Sequence, residues 1–268
     1  MTRICPEPVP ETCQAIFSHM EVLSARFSTL ATPGGLLALL DLTRLQPLLE
    51  EEEGLRFLTT LLSPDEARLF AGYTYPKRRL EWLGGRLAAK HCLSRLASVG
   101  KAAPSCYREF SLLPDASGRP TLAQPSDLEN ISAISISHSR GYAAALVVAN
   151  GDACGIDIQR KSPQLARVQE RFASEEELAL LQRVTVPLTR LAMLWTAKEA
   201  VKKCLLADQP TQFDTIRLTE MTYEPKGAIW TARCQLKGGI GITPLVSMVK
   251  IAEFGDYLIA CTMRDRHA

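Results

Sequence analysis

A short apolar strand with one acid in it is the first segment whose residue types could do chemistry. The segment 155–159 reads GIDIQ, so Asp157 lies between two isoleucines. An aspartate inside an apolar strand is costly unless it is paired or binds a metal. Alternation along a strand puts Asp157 and Gln159 on one side and the isoleucines on the other. The segment predicts a metal ligand or, as the alternative, an aspartate that caps a nearby helix.

A second segment, residues 195–203, reads WTAKEAVKK and carries charges beside an aromatic residue. Glu199 and Lys203 are four positions apart, which places them on one face of a helix. An ordinary surface salt bridge would explain such a pair. However, Leu191 and Trp195 make the same helix apolar, which favours the wall of a cleft over open water.

The third segment, residues 135–139, reads SISHS and ends a predicted strand. Ser137 and His138 could hold a phosphate there, or could belong to a Ser–His hydrolase. The sequence lacks the G-x-S-x-G elbow of many such hydrolases, and a lone histidine where a strand meets a turn is more often structural. The chain also has no G-x-x-x-x-G-K-[ST] and no strand-linked G-x-G-x-x-G, the common nucleotide-binding loops.

Composition limits the classes of protein to which these segments can belong. The 268 residues are 46% hydrophobic and 22% charged, with a net charge of +2. This mix is typical of globular proteins, whereas a protein that coats nucleic acid usually has a larger basic excess. No apolar run approaches the roughly 18 residues that a membrane span needs. The eight cysteines form no CxxC pair, which indicates reduced thiols and a cytoplasmic protein.

The elements that must position the three segments follow from hydrophobic periodicity and from helix caps. Two long helices are predicted, at 78–98 and 189–206, and each follows a capped helix start, at Ser63 or at Ser174. Strands are expected at 35–42, 131–137, 141–149 and 154–158, and in a tail ending at 257–263. Residues 1–34 are interpreted as a loose N-terminal extension and 114–125 as a turn-rich loop. The polar face of the first long helix is expected to carry Lys77, Arg78, Arg79, Arg86, Lys90 and Arg95.

The two halves of the chain resemble each other. Residues 63–70 are similar to 174–181 at a shift of 111, and the long helices match at a shift of 112, which pairs Arg86 with Lys198. Coincidence among common residue types is the alternative. An internal duplication predicts an α+β fold of two similar α/β lobes related by a pseudo-twofold, with a ligand cleft between them. The expected divisions are 1–34 as extension, 35–152 as N-terminal lobe and 153–268 as C-terminal lobe with the metal site.

Taken together, the segments resemble the two-lobed, Sfp-type class of 4′-phosphopantetheinyl transferases. That family has an (I/V)-G-(I/V)-D-(I/V)-E strand and, further along the chain, a (W/F)-x-x-K-E-(A/S)-x-x-x-K helix, matched here by 155–159 and 195–203. Its G-(K/R)-P turn and S-x-S-H strand end are matched by 118–120 and 135–138. Its K-R-x-x-E-(F/W)-L-x-G-R helix is matched by Arg78, Glu81, Trp82, Leu83, Gly85 and Arg86.

The resemblance implies an enzyme that moves the phosphopantetheine arm of coenzyme A to a serine of an apo acyl or peptidyl carrier protein and releases adenosine 3′,5′-bisphosphate. It implies Mg²⁺, or Mn²⁺, held by Asp157 and Glu199, with Glu199 as general base and Lys203 as the second catalytic residue. Gln159 stands where the family has Glu. Because an amide is a poorer Mg²⁺ ligand than a carboxylate, its contact with the metal is expected through water. The implied coenzyme A contacts are Arg86, Arg119, Ser137, His138, Asp157, Lys198 and Lys203.

Two other functions stay open. A protein of this fold could bind coenzyme A or a carrier protein without turnover, should Gln159 abolish metal binding. A duplicated scaffold whose polar clusters are only salt bridges is the second alternative. A monomer is expected, because the duplication supplies both lobes in one chain. The sequence does not distinguish fatty-acid, polyketide and nonribosomal-peptide carriers.

Overall fold

The structure is a computed structural model that describes residues 11–31, 34–97, 104–124, 128, 130–149, 153–184, 186–206, 213–237 and 245–264. The first ten residues of the predicted extension, Cys5 among them, lie outside these ranges, as do residues 150–152 at the predicted boundary between lobes. Among the helices within the described ranges, none is long and apolar enough to cross a membrane.

Within the described ranges, the N-terminal half places five α-helices around a three-stranded sheet. The helices are α1 (Glu11–Arg26), α2 (Leu42–Glu50), α3 (Glu52–Thr60), α4 (Pro64–Ala71) and α5 (Pro76–Ala97). The strands are β1 (Gly35–Asp41), β2 (Ser111–Pro114), β3 (Pro120–Gln124), β4 (Ile131–Ser139) and β5 (Tyr142–Ala149). The antiparallel order β1-β5-β4 forms the sheet, and β2 pairs with β3 as a separate hairpin.

The C-terminal half repeats this sequence of elements with shorter connecting helices. It contains β6 (Ala153–Arg160), α6 (Pro163–Arg167), α7 (Glu175–Leu180), α8 (Pro187–Leu205), β7 (Ile216–Glu224), β8 (Ile229–Leu236), β9 (Val246–Phe254) and β10 (Tyr257–Arg264). Its five strands form one antiparallel sheet in the order β6-β10-β9-β8-β7. Each half therefore places its first strand beside its last, as β1 beside β5 and β6 beside β10.

Alternation along the strands divides the apolar side chains among three cores. On β5, Ala143 and Ala145 face a core under α5, whereas Ala144 and Leu146 face the opposite side. That opposite side is a shared core, in which the inner faces of both sheets meet. The third core lies under α8 in the C-terminal half. The two halves are thus joined through buried apolar surface, and the long helices lie on the outer faces of the sheets.

Serine side chains connect the edges of the two sheets. Serines recur at every second position at the end of β4, so they share one face of that strand. Their hydroxyls accept hydrogen bonds from alternate backbone N–H groups of β6: Ser135 from Ile156 at 3.1 Å, Ser137 from Ile158 at 3.2 Å and Ser139 from Arg160 at 3.1 Å. We call this set of bonds the serine ladder. It satisfies backbone donors of β6 that no neighbouring strand pairs.

Each half contains a buried lysine–glutamate pair held by the same set of bonds. Lys90 and Glu66 are fully buried and 2.5 Å apart, and Glu66 closes the capping box of α4. Lys198 and Glu177 are buried at 2.7 Å, and Glu177 closes the capping box of α7. Further bonds around the first pair involve Ser63, the Leu61 and Tyr107 carbonyls and the Leu112 N–H; around the second pair they involve Ser174, the Phe172 and Phe213 carbonyls and the Leu218 N–H.

The recurrence of these bonds supports the predicted duplication and corrects its register. The glutamates are 111 positions apart, as predicted from the capped helix starts. Lys90 corresponds to Lys198, a shift of 108, so the predicted shift of 112 for the long helices is wrong by about one helical turn. A shift of 108 and a shift of 112 both align similar residue types on one helix face, so the sequence alone does not decide between them. The structure decides for 108, because the lysines at that shift are the ones that bind the capping glutamates. The predicted fold class, α+β with two similar halves, is confirmed, while the pseudo-twofold remains a prediction.

Three local predictions need correction. Residues 11–26 form helix α1, whose Ile16, Phe17 and Met20 are buried in the N-terminal core, so the extension is not loose there. The turn-rich region around residue 118 is the β2–β3 hairpin. Lys90 does not lie on the polar face of α5, because its ammonium group is bonded to Glu66 inside the core. The predicted starts at Ser63 and Ser174 are confirmed as capping boxes.

Candidate active site

Asp157 lies in the middle of β6 with one carboxylate oxygen bonded and the other unbonded. Its Oδ1 accepts hydrogen bonds from Ser137 Oγ and from Lys203 Nζ, each at 2.8 Å. Its Oδ2 is buried and has no hydrogen-bond partner among the described residues. A buried carboxylate oxygen without a partner is costly in a protein interior. The predicted alternative of a helix cap is not what the residue does, and Oδ2 is placed to accept an external ligand.

Gly155 brings helix α8 close to this aspartate. A Cβ atom on Gly155 would lie 1.9 Å from the carbonyl oxygen of Ala200 and 2.9 Å from the backbone nitrogen of Cys204. Only a residue without a side chain permits this approach of helix to strand. The glycine of the GIDIQ segment therefore allows the acid of β6 and the charged residues of α8 to share one site.

Glu199 is the second acid of the site. Its side chain is 14% exposed and forms a 3.3 Å ion pair with Lys202. Burial raises the pKa of Glu199 and the nearby Asp157 carboxylate raises it further, while Lys203 and Lys202 act in the opposite direction. The alternative of a surface salt bridge between Glu199 and Lys203 is not what the structure shows, because Lys203 donates to Asp157 and to the Ile156 carbonyl.

His138 lies at the rim of the site among several cations. Its Nδ1 is 3.5 Å from a carboxylate oxygen of Glu81, on α5. Burial lowers the pKa of His138, Glu81 opposes this, and the positive charges of Lys203, Arg78 and Lys77 lower it further. Both halves of the chain therefore contribute charge around one histidine. Glu81 was part of a sequence motif but carried no predicted role, because a glutamate on a helix gives no sign of which neighbour it will meet.

The hydroxyl group of Ser137 makes its hydrogen bonds within the protein. The residue is 5% exposed, its hydroxyl accepts from Ile158 N–H, and it donates to Asp157. A serine hydroxyl has one proton to donate, and Asp157 takes it. The prediction that Ser137 contacts a phosphate of coenzyme A is not retained, and the structure places it as a support for Asp157 instead.

Lys198 is likewise turned away from the site. It is 2% exposed, and its ammonium group donates to Glu177 and to the carbonyl of Phe172 at 2.7 Å. Burial lowers the pKa of Lys198, and Glu177 opposes that effect. Because these bonds occupy the ammonium group inside the C-terminal core, Lys198 is not retained as a contact of the diphosphate.

Two predicted arginines have different surroundings. Arg119 is 42% exposed at the β2–β3 turn, next to Gly118 with φ +85°. Burial raises the pKa of the Cys204 thiol to about 12, and the positive charges of Arg264 and Arg119 oppose this, so Arg119 lies near the last turn of α8. Arg86 stacks over Trp82, 4.4 Å from the ring centroid, and burial lowers its pKa. Arg86 is thus partly buried against Trp82 in the N-terminal half, and its contact with coenzyme A stays a prediction.

Gln159 lies two residues beyond Asp157 on the strand face that was predicted. Ile156 and Ile158 belong to the core between the sheets. Asp157 pairs with Ala260 and Gln159 pairs with Leu258 on β10, and both of these partners belong to the core under α8. Asp157 and Gln159 therefore lie on the face of β6 toward α8. The Gln159 amide donates to the Arg160 carbonyl at 2.7 Å. Within the described ranges, no cluster of three or more His, Cys, Asp and Glu side chains is arranged to hold a metal ion.

Two family models cover most of the described fold. Residues 153–261 match the model of the 4′-phosphopantetheinyl transferase superfamily, and residues 65–148 match that of the 4′-phosphopantetheinyl transferase N-terminal domain. The two matches coincide with the two halves of the structure.

Curated relatives give the same result. A holo-[acyl-carrier-protein] synthase from Geobacillus kaustophilus is 34% identical over 110 residues, which are 41% of this chain and 82% of the relative. One from Halalkalibacterium halodurans is 33% identical over 110 residues, which are 41% of this chain and 88% of the relative. A solved holo-(acyl-carrier-protein) synthase from Bacillus anthracis, in complex with CoA (3′,5′-ADP), is 26% identical and covers 43% of this chain and 94% of its own, at a TM-score of 0.36.

These matches identify the class. The chain belongs to the 4′-phosphopantetheinyl transferase superfamily. The family and the enzyme class predicted from the motifs are confirmed. The curated relatives align over a stretch about as long as one half of this chain, in keeping with its internal duplication.

Proposed function

We propose that this protein transfers the 4′-phosphopantetheine arm of coenzyme A to a serine of an apo carrier protein. The serine oxygen forms a bond to the phosphorus that carries the pantetheine, the bond from that phosphorus to the bridging oxygen breaks, and adenosine 3′,5′-bisphosphate leaves. Family membership supports the reaction. The observation that carries it for this chain is the buried, unbonded Oδ2 of Asp157 beside Glu199.

The two acids fit a divalent cation, which we propose to be Mg²⁺, with Mn²⁺ as a substitute. Asp157 offers the unbonded Oδ2, and Glu199 a carboxylate whose negative charge is disfavoured by burial and by Asp157. A cation would offset both costs, and Mg²⁺ needs only one or two carboxylates when phosphate oxygens and water complete its shell. When bound, it would supply neutralisation of charge on the diphosphate. Gln159 is assigned to this shell only through water.

Glu199 is proposed as the general base. A base works best when its pKa approaches the operating pH, and burial moves the pKa of this carboxyl group upward, in that direction. Glu199 would accept the proton of the carrier serine as the new bond to phosphorus forms. Its partner Lys202 lies on the side of the helix toward solvent, with 26% of its side chain exposed.

The cations around His138 are proposed to hold the anionic groups of coenzyme A. Lys203, Arg78 and Lys77 all act on this half-exposed histidine, with Glu81 as the nearest opposing charge. Phosphate groups are suited to such a cluster, because charge-assisted hydrogen bonds are stronger than neutral ones. Lys203 would lie at the diphosphate, His138 at the 3′-phosphate, and Arg119 would approach from the hairpin.

The protein partner in this proposal is an apo acyl carrier protein, and peptidyl carriers are included as substrates. A monomer suffices, because both sides of the site come from one chain: Asp157 and Glu199 from the C-terminal half, His138 and Glu81 from the N-terminal half. A cytoplasmic location fits the cysteines, because the seven in the described ranges form no disulfide with one another.

The test is intact-mass measurement. Purified protein is incubated with coenzyme A, Mg²⁺ and, separately, apo carrier domains of fatty-acid, polyketide and nonribosomal-peptide type. At least one carrier should gain the mass of one phosphopantetheine group, and chelation of the metal should stop the gain. Retention of coenzyme A by calorimetry with no mass gain on any carrier would favour the alternative of a binding protein without turnover.

A further inference from the structure

The buried pair of Lys198 and Glu177 stands directly behind the proposed active site. Lys198 precedes Glu199 in α8, and neighbouring helical residues point about 100° apart because a turn has 3.6 residues. Glu199 therefore faces β6 while Lys198 faces α7 and β7. From that side the ammonium group is bonded to Glu177 at 2.7 Å, to the Phe172 carbonyl at 2.7 Å and to the Phe213 carbonyl at 3.4 Å.

Glu177 has no capacity left for a substrate. Its Oε1 accepts from the Leu218 N–H at 2.8 Å and lies 2.7 Å from Lys198 Nζ. Its Oε2 accepts from the Ser174 N–H at 3.0 Å and from Lys198 Nζ at 2.9 Å. The pair thus joins the start of α7, the start of β7 and the middle of α8. On the opposite side, α8 touches the backbone of β6 at Gly155. The helix is held from both sides, so its rotation about its own axis is fixed.

We infer that Lys198 and Glu177 are a positioning pair for Glu199, which set the rotation of α8 so that this carboxylate meets Asp157. The inference rests on the proposed function. Neither residue contacts substrate in this account. Their effect passes through the helix backbone, and misplacing a reacting group by about 1 Å can cost on the order of 100-fold in rate.

The N-terminal half supplies a matched control within the same molecule. Lys90 and Glu66 make the same bonds at 2.5 Å, but the residue after Lys90 is His91, which bonds to the Tyr107 hydroxyl at 3.0 Å. The strand position that corresponds to Asp157 is Ala38, since their partners, Ala145 and Ala260, each lie three residues after the tyrosine that begins the last strand of the half. The control pair therefore holds a helix that carries neither of the two acids, Asp157 and Glu199.

The experiment compares two double variants. Lys198→Met with Glu177→Gln removes both charges together, which avoids leaving a single buried charge without a partner. Lys90→Met with Glu66→Gln makes the identical change in the other half. For each protein, Tm, kcat and the KM for coenzyme A are measured. Because the bond networks match, both variants should lose a similar amount of Tm.

The expected result is a difference in kcat. The Lys198/Glu177 variant should lose about 10- to 100-fold in kcat, with the KM for coenzyme A changed by less than about threefold, because the rim cations are intact. The Lys90/Glu66 variant should keep kcat within about threefold of wild type, while its KM for coenzyme A should rise, because α5 also carries Lys77 and Arg78. Equal kcat losses in the two variants, or wild-type kcat in the Lys198/Glu177 variant, would overturn the inference.

A second measurement separates this inference from the proposed function. Mn²⁺ binding, followed through the electron paramagnetic resonance signal of the free ion in the presence of coenzyme A, should weaken in the Lys198/Glu177 variant and not in the Lys90/Glu66 variant. If the wild type modifies no carrier, the proposed function fails, and the Mn²⁺ comparison still decides whether the pair positions the two acids. Equal Mn²⁺ affinity in wild type and both variants would count against positioning.

Discussion

Substituting Gly155 with alanine should separate the two acids of the site without removing either. The added Cβ would lie 1.9 Å from the Ala200 carbonyl oxygen and 2.9 Å from the Cys204 nitrogen, both backbone atoms of α8. Backbone cannot swing aside as a side chain can, so the helix has to retreat by about 1.5 Å to restore ordinary contact. Glu199 lies on the same helix, one residue before Ala200, and would move away from Asp157 with it.

The expected magnitudes follow from that displacement. A misplacement of about 1 Å already corresponds to on the order of 100-fold in kcat/KM, or about 2.7 kcal/mol of transition-state stabilisation. Overpacking of this kind typically lowers the free energy of unfolding by about 1–3 kcal/mol, and the backbone contact places Gly155→Ala toward the upper end.

The control is Gly84→Ala in the long helix of the other half. Its Cβ would meet the end of the Leu42 side chain at 2.2 Å, a group that can rotate away. Steady-state kinetics of phosphopantetheine transfer and urea unfolding are measured for both variants. Gly84→Ala should keep kcat/KM near wild type. A Gly155→Ala protein with wild-type kcat/KM would refute the claim that this close contact sets the geometry of the site.

Four further predictions concern single features. Ser137→Ala and Ser139→Ala each remove one rung of the serine ladder and should lower the free energy of unfolding by about 1–2 kcal/mol. Only Ser137→Ala, which also removes one of the two hydrogen bonds to Asp157 Oδ1, should lower kcat/KM, by about tenfold, and equal kinetics of the two variants would contradict the assigned role. 3′-Dephospho-coenzyme A should bind more weakly than coenzyme A by about 1.5–3 kcal/mol if the cations near His138 hold the 3′-phosphate, and equal affinities in calorimetry would remove that assignment. Gln159→Glu should lower the Mg²⁺ concentration for half-maximal rate, because a hard cation prefers an anionic oxygen; an unchanged titration would place residue 159 outside the metal shell. Burial lowers the pKa of His91 from 6.5 to about 4, so the unfolded chain binds the histidine proton more tightly than the folded protein does. Up to about 3 kcal/mol of the free energy of unfolding is therefore lost as the pH falls from 6.5 to 4. In urea unfolding, His91→Gln should flatten the dependence of stability on pH in that range, and an unchanged slope would contradict the assignment to His91.

The sequence contains enough local information to predict most elements near the site. Ser63 and Ser174 carry the N-cap pattern that the structure shows, because a capping box depends only on residues three positions apart. The alternation around Asp157 likewise predicted which face of β6 it occupies. Both features are set within a few residues of chain.

The roles of individual polar residues were harder to predict, because they depend on contacts between distant segments. Ser137 and Lys198 have the residue types of phosphate ligands, yet the fold uses Ser137 to bind a neighbouring strand and Lys198 to bind a helix start. Helix α1 was missed although its buried residues Cys13, Ile16, Phe17 and Met20 recur at the three- and four-residue spacing of an amphipathic helix, a pattern that the sequence itself carries.

The central claim is that Asp157 and Glu199 together perform the transfer, and one comparison tests it most directly. Asp157→Ala, Glu199→Gln and wild-type protein, matched for circular dichroism and Tm, are assayed by intact mass with coenzyme A, Mg²⁺ and the best apo carrier. Wild type should convert the carrier, and each variant should retain well under a tenth of the wild-type kcat/KM, a loss exceeding about 1.4 kcal/mol. A folded variant that keeps more than that tenth would rule out the role assigned to the substituted residue.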